Sequence, residues 1–291
     1  MGDVREALRA QRYLADEGLV TAIFLALRLG RPLLLEGEAG VGKTEVAKAI
    51  AAWTGAELLR LQCYEGIDTS QAAYEWDHAR QLLHLRAAEA NNATVHSDEL
   101  YTQRFLVRRP LLRALDADHI VPPVLLIDEI DRADDEFEAY LLEVLSDYAI
   151  TIPEVGTIAA AVPPIVVLTS NRTRDLHDAL KRRCLYHWVE HPDFERELAI
   201  LRLRAPEVSA SLAAQVAGAV RAMRTMDLYK PPGVAETIDW ARALAALDVA
   251  TIEAPIVANT FGSVLKYHED TERVQAFGVE ALARAAREQG A

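Results

Sequence analysis

Residues 33–50 read LLLEGEAGVGKTEVAKAI. A buried-looking apolar run stops at a glycine, a glycine-broken loop follows, and a helical pattern begins at a lysine and a threonine. Gly37, Glu38, Ala39, Gly40, Val41, Gly42, Lys43 and Thr44 fit the pattern G-x-x-x-x-G-K-[ST]. Glycines let such a loop curl so that backbone N–H groups point inward at phosphate oxygens. The helix that follows adds the partial positive charge of its N-terminus at the same place. In this arrangement Lys43 reaches the β- and γ-phosphates of ATP and the Thr44 hydroxyl ligates Mg²⁺. A strand before the loop and a helix after it are the context that the motif requires.

The rest of the first two-thirds of the chain supplies that context. AELLRLQCY (56–64), VLLIDEI (124–130), PIVVLTSN (164–171) and CLYHWVE (184–190) join RPLLLEG as five short strands. They are continuously apolar rather than alternating, which suits a parallel sheet covered by helices on both faces. The connecting segments carry helical periodicity. In DDEFEAYLLEVLSDY (134–148), Phe137, Tyr140, Leu141, Val144, Leu145 and Tyr148 share one face. Strand–helix alternation of this kind predicts an α/β fold of the P-loop class. Beyond about residue 193 the strand signal fades and alanine-rich helical stretches take over, with Pro192 at the break. The expected division is an α/β domain over 1–192 and a helical lid over 193–291.

Two carboxylates give the loop something to work with. VLLIDEI delivers Asp128 and Glu129 to the carboxyl end of a strand, where ligands of open α/β sheets bind. Asp128 can hold Mg²⁺, and Glu129 can orient the attacking water or accept its proton. The same acids also open a helix and could cap it; the phosphate loop upstream favours the catalytic role. Asn171 ends another apolar strand, as a group that touches water or the γ-phosphate, or as a turn residue. Arg182 and Arg183 precede the fifth strand. Either guanidinium can neutralise charge growing on a transferred phosphoryl group, or the two form a solvated surface pair. The stretch from Lys43 to Asp128 far exceeds the roughly 30 residues of one strand-plus-helix crossover, so an insertion is expected within 66–105.

Composition bounds the partners. Lys and Arg number 31 against 44 Asp and Glu, a net charge of −13. An acidic surface argues against broad contact with DNA or RNA, which needs cations to neutralise phosphates. QRFLVRRPLLR (103–113) is the best candidate for a local basic patch, against a favoured reading as a solvated face or a subunit contact. The two cysteines, Cys63 and Cys184, have no paired spacing, so neither a disulfide nor structural zinc is expected, in keeping with the cytoplasm. No apolar run is long enough to span a bilayer, and the N-terminus lacks the order of a signal peptide.

LLLEGEAGVGKTEVAKAIA, LLIDEIDRADDEFEAYLLEVLSDYAITI, VVLTSN and ALKRRC resemble, in this order, the AAA+ ATPases, and within them the MoxR-type group. LQCYEGIDTSQAAYEWDHARQLLHLR is similar to a subgroup associated with maturing the active site of molybdenum-containing carbon monoxide dehydrogenase. The resemblance implies ATP hydrolysis with Mg²⁺ at subunit interfaces of a hexameric ring. It places Asn171 at the sensor-1 position and Arg183, or its neighbour Arg182, at the arginine finger. Arg132 would serve the interface. It makes 66–105 the helix-2 insert and 148–164 the hairpin before sensor 1. It also implies a von Willebrand factor A domain partner and a client protein or metalloenzyme. One position departs from the pattern: Thr237 stands where a sensor-2 arginine is expected, with Arg242 further along.

Three rivals bear on the same residues. HWVEH (187–191) fits H-x-x-E-H, but that zinc chemistry needs a helix, and Tyr186, Trp188 and Val189 favour a strand. A small-molecule P-loop kinase would need an acceptor site instead of a water-activating glutamate. A nucleic-acid-stimulated motor of the same fold is opposed by the net charge.

Overall fold

Leu33–Glu36 and Val124–Asp128 are buried at every position, the pattern of parallel strands covered on both faces. A computed structural model describes residues 1–290 of the chain. It divides into two units: 1–7, 16–36 and 44–188 form the first, and 8–15, 37–43 and the chain from 189 onward form the second.

In chain order come helices α1 (Gly2–Ala10) and α2 (Glu17–Leu29), strand β1 (Leu33–Glu36), α3 (Lys43–Thr54) and β2 (Leu58–Gln62). Then follow α4 (Thr69–Ala72), β3 (Tyr74–Trp76), α5 (His78–Ala90), α6 (Ser97–Leu100), β4 (Leu106–Arg108), α7 (Pro110–Ala114) and β5 (Val124–Asp128). The first unit closes with α8 (Asp135–Asp147), β6 (Ala149–Ile152), β7 (Gly156–Ala159), β8 (Ile165–Ser170), α9 (Asp178–Arg183) and β9 (Leu185–Trp188).

The five long strands form one parallel sheet in the order β2-β5-β8-β1-β9. Its register pairs Gln62 with Asp128, Ile127 with Leu168, and Glu36 with Ser170. The carboxyl ends of the three inner strands therefore lie side by side. This is the doubly covered parallel sheet that the apolar runs imply. Two small antiparallel pairs sit outside it. β3 pairs with β4, joining the two ends of the 66–105 region, and β6 with β7 makes a hairpin. The first-unit core gathers Leu59, Leu61, Leu125, Ile127, Val166 and Leu168 from the strands with Phe137, Leu141 and Val144 from α8.

Two surface readings resolve here. Three of the four arginines of the basic stretch are paired: Arg108 with Asp116, Arg109 with Glu75 at 2.5 Å, and Arg113 with Glu57. The fourth, Arg104, lies over the Phe105 ring at 5.3 Å, so the face is largely self-neutralised. His187 of the H-x-x-E-H pattern lies in β9, and its Nε2 is 3.6 Å from Asp16 Oδ1. His191 is 2.9 Å from the Glu38 carboxylate. No group of three or more metal-ligating side chains occurs among the described residues, and none of their helices is long and apolar enough to cross a membrane.

The second unit is helical: α10 (Phe194–Arg204), α11 (Ala210–Arg224), α12 (Val234–Ala246), α13 (Ala254–Val264), α14 (His268–Phe277) and α15 (Val279–Gly290). α11 is its centre. Leu212, Val216, Val220 and Met223 are buried along one side and small alanines along the other, so neighbouring helices approach closely. Trp240 of α12 is fully buried, and its indole Nε1 donates to Thr260 Oγ1 at 2.8 Å. A buried indole needs such an acceptor. Trp240→Ala removes the largest buried side chain of this unit and leaves a cavity. It is expected to cost about 3–5 kcal/mol, read as a lowered urea midpoint of the helical circular-dichroism signal.

Candidate functional site

At the end of β5 the Asp128 side chain is only 3% exposed. Its Oδ1 accepts from Thr44 Oγ1 at 3.0 Å and from Thr169 Oγ1 at 2.6 Å. Its Oδ2 accepts from Arg60 Nε at 3.0 Å and Arg60 Nη2 at 2.6 Å. A buried carboxylate has to be hydrogen-bonded and charge-paired, and this one is both. Thr44 and Asp128 are thus in direct contact although far apart in sequence. A hydroxyl beside a carboxylate is the hard-oxygen set that suits Mg²⁺.

Glu129 follows in the left-handed region, φ 55° and ψ 49°. For a glutamate this conformation costs on the order of 1–3 kcal/mol and persists only where the surroundings impose it. Here its N–H donates to Thr169 Oγ1 at 2.9 Å. The turn carries the Glu129 side chain out of the strand, where its carboxylate meets the Arg132 guanidinium at 3.1 Å. Asp131, buried in the same turn, accepts from the N–H and hydroxyl of Thr173 at 2.9 and 2.7 Å. It ties the turn after β5 to the loop after β8, in which Asn171 stands directly behind Ser170 and is partly exposed. Acid accumulates enough here to act on a neighbour. Burial, with the charges of Asp128, Asp131 and Glu129, pushes the Cys63 thiol up to about 12, so Cys63 is no nucleophile.

Arg182 and Arg183 end α9 with exposed side chains. Their backbone is fixed by Arg31. It donates to the carbonyls of Arg182 at 2.7 Å, Arg183 at 3.2 Å and Cys184 at 3.3 Å, satisfying the open end of the helix.

The second unit holds the loop from Gly37 to Lys43. Lys43 is 6% exposed, and its ammonium donates to Gly37 O at 2.8 Å and Glu38 O at 2.6 Å, closing the loop on itself. Ala39, Val41 and Gly42 complete the turn, with Val41 buried. Gly37 has no substitute, because a β-carbon there would fall 2.3 Å from Val189 O. At Gly40 the loop touches the start of α12. Val234 N–H donates to Gly40 O at 2.9 Å, and a β-carbon on Gly233 would fall 2.7 Å from Gly40 Cα. The glycines keep the loop free of β-carbons where it meets Val189 and Gly233, and a glycine-broken loop ending in a lysine and a threonine fits a triphosphate with its Mg²⁺.

Thr237 is fully buried, and its single hydroxyl proton is shared between Glu197 Oε1 at 2.9 Å and Gly233 O at 2.8 Å. Glu197 is in turn gripped by both arms of Arg224 at 2.7 Å. Thr237 thus braces the start of α12 from inside the unit. Arg242 is committed elsewhere, to Glu207 at 2.9 Å and Arg204 O at 2.7 Å.

Sequence reasoning passed over Thr169, Arg60, Asp131 and Arg31. Only Arg60 left a signal, as the single charge inside the strand LLRLQ.

The AAA domain (dynein-related subfamily) matches residues 32–184. An uncharacterized Staphylococcus haemolyticus protein, SH1500, is 23% identical over 269 residues, covering 90% of this chain and 94% of that protein. Among solved structures, the Thermotoga maritima RuvB Holliday junction branch migration motor is 17% identical with a TM-score of 0.46, covering 89% of this chain and 68% of that one. A Cytophaga hutchinsonii protein described as a presumed ATPase is 14% identical with a TM-score of 0.48, covering 98% and 93%. The family match spans more than half of the chain, from the strand before the phosphate loop to the end of α9, and on that ground this chain belongs to the dynein-related subfamily of AAA domains.

Proposed function

We propose that this chain is a MoxR-type ATPase that uses ATP hydrolysis to remodel or mature a client protein or metalloenzyme. As an AAA protein it hydrolyses ATP with Mg²⁺. The observation that carries the site assignment is the 3.0 Å bond from Thr44 Oγ1 to Asp128 Oδ1, with Glu129 next in the chain. It joins the residue that closes the phosphate loop to the carboxylates at the strand end.

Thr44 and Asp128 would hold the metal, and Lys43 would neutralise phosphate charge. When bound, Mg²⁺ would offset negative charge developing on the phosphates. Glu129 orients the attacking water or accepts its proton, and its left-handed turn lifts it clear of the strand for that task. Asn171 positions the same water. AAA proteins commonly assemble as rings. In a hexameric ring, Arg182 or Arg183 would reach a neighbour's nucleotide, their exposure at the end of α9 leaving them free to do so. Arg132 releases Glu129 when it turns to the interface. The helix-2 insert and the β6–β7 hairpin, through a von Willebrand factor A domain partner in the cytoplasm, would act on the client. The stretch LQCYEGIDTSQAAYEWDHARQLLHLR is what favours a metalloenzyme client of the molybdenum type.

Four outcomes test this reading. ATP turnover without any added acceptor is expected, and its absence with phosphoryl transfer to a small molecule would mark a kinase instead. Lys43→Ala should weaken ATP binding by about two orders of magnitude or more in equilibrium dialysis. Glu129→Gln should still bind ATP while turnover falls by about 10²–10⁴. Wild-type hydrolysis by the glutamine variant would remove Glu129 from the mechanism. For the finger, Arg182→Ala and Arg183→Ala are each mixed with Lys43→Ala subunits. Loss of the true finger lowers turnover by about 10³–10⁵, and mixing restores part of it because each subunit supplies what the other lacks. Failure of both mixtures to recover would argue against action between subunits.

A further inference from the structure

A carboxylate offers about four acceptor sites, and those of Asp128 are all taken. Thr44 and Thr169 hold Oδ1, and the two arms of Arg60 hold Oδ2. A cation or cation-bound water can reach Asp128 only by displacing one of these donors. Thr44 is not the one, because its hydroxyl can offer a lone pair to the metal while still donating to Asp128. Nor is Thr169. It is 1% exposed and also accepts from the N–H of strained Glu129, so moving it would undo the turn. Arg60 remains. It projects from the edge strand β2, its side chain is 51% exposed, and its withdrawal opens no core. It also has somewhere to go, since Nη2 already donates to Gln62 Oε1 at 2.5 Å.

We propose that Arg60 is a positioning residue that holds Asp128 as an internal stand-in for the divalent cation and leaves Oδ2 when the cation enters. Until then the guanidinium pairs with the buried carboxylate, aims it and satisfies its Oδ2. A doubly charged ion and a guanidinium repel at this distance, so the two occupy the oxygen in turn. Cation binding therefore includes breaking a forked, charge-assisted contact. The sign that follows is distinctive: removing Arg60 tightens the cation. A residue that served by touching phosphate would do the opposite. This inference rests on the reading of Asp128 as a metal ligand.

The test uses the full chain loaded with ADP and Mn²⁺, whose free and bound forms are resolved by electron paramagnetic resonance, so no turnover is needed. Arg60→Met is expected to lower the Mn²⁺ dissociation constant about tenfold. ADP affinity without metal should stay within about twofold, because the contact is to a carboxylate and not to phosphate. Arg60→Gln carries the same expectation should the methionine variant fold poorly, as judged by its melting temperature. Arg132→Met removes the same charge from the other carboxylate and should tighten Mn²⁺ by less than about twofold. Unchanged or weaker Mn²⁺ binding in both Arg60 variants would overturn the proposal, as would equal tightening by Arg132→Met, which would mean a general charge effect. Asp128→Asn separates the layers. It should weaken Mn²⁺, and if it does while Arg60 variants show no tightening, only the stand-in role fails. If it does not, the metal assignment falls and the stand-in role with it.

Discussion

Four donors from β2, α3 and β8 converge on the carboxylate of Asp128, which is buried at the end of an inner strand. A carboxylate buried without such partners would neutralise or destabilise the sheet that carries it. Much of the surrounding architecture follows from meeting that demand. The register that sets Gln62 opposite Asp128 also puts Arg60 two residues back on the same face of the edge strand. The register that sets Leu168 beside Ile127 brings Thr169 within reach of both Asp128 and the N–H of Glu129. Polar satisfaction of one group thereby fixes the geometry of its neighbours.

The sheet was legible because its strands announce themselves by unbroken apolar runs, a pattern that needs no partner to be read. The fold class followed from strands alternating with helical periodicity. The loop Gly37–Thr44 was equally plain, since its glycines and lysine have fixed spacing. What sequence could not supply was anything dependent on who lies beside whom. Thr169 looks like an ordinary strand residue until β5 is placed next to β8. Arg60 reads as a solvent-facing charge on an edge strand until Gln62 is opposite Asp128. Arg31 lies about 150 positions from the carbonyls it binds. The pairing of β3 with β4 was hidden for the same reason: three-residue strands carry too little periodicity, and Tyr74–Trp76 meets Leu106–Arg108 only through the fold.

The helical unit poses a different chemistry at the place where a sensor-2 arginine was sought. Thr237 spends its hydroxyl on Glu197 and Gly233, and the guanidinium nearest to it, Arg224, is bound to the same Glu197. The first turn of α12 meets the loop at Gly40, where the Glu236 carboxylate also lies and accepts from Gly233 N–H at 3.1 Å. The contact combines close backbone approach with one side-chain charge.

One hydroxyl, that of Thr169, donates to Asp128 and accepts from Glu129 N–H. Asp128 and Glu129, the carboxylates proposed to hold the metal and to activate water, are consequently geared together through that one oxygen. Valine, though nearly the same size and well suited to a strand, would strip a donor from one and an acceptor from the other. Only a side chain that donates and accepts through a single atom can hold both partners here, so the link between the two strand ends is a property of one hydroxyl.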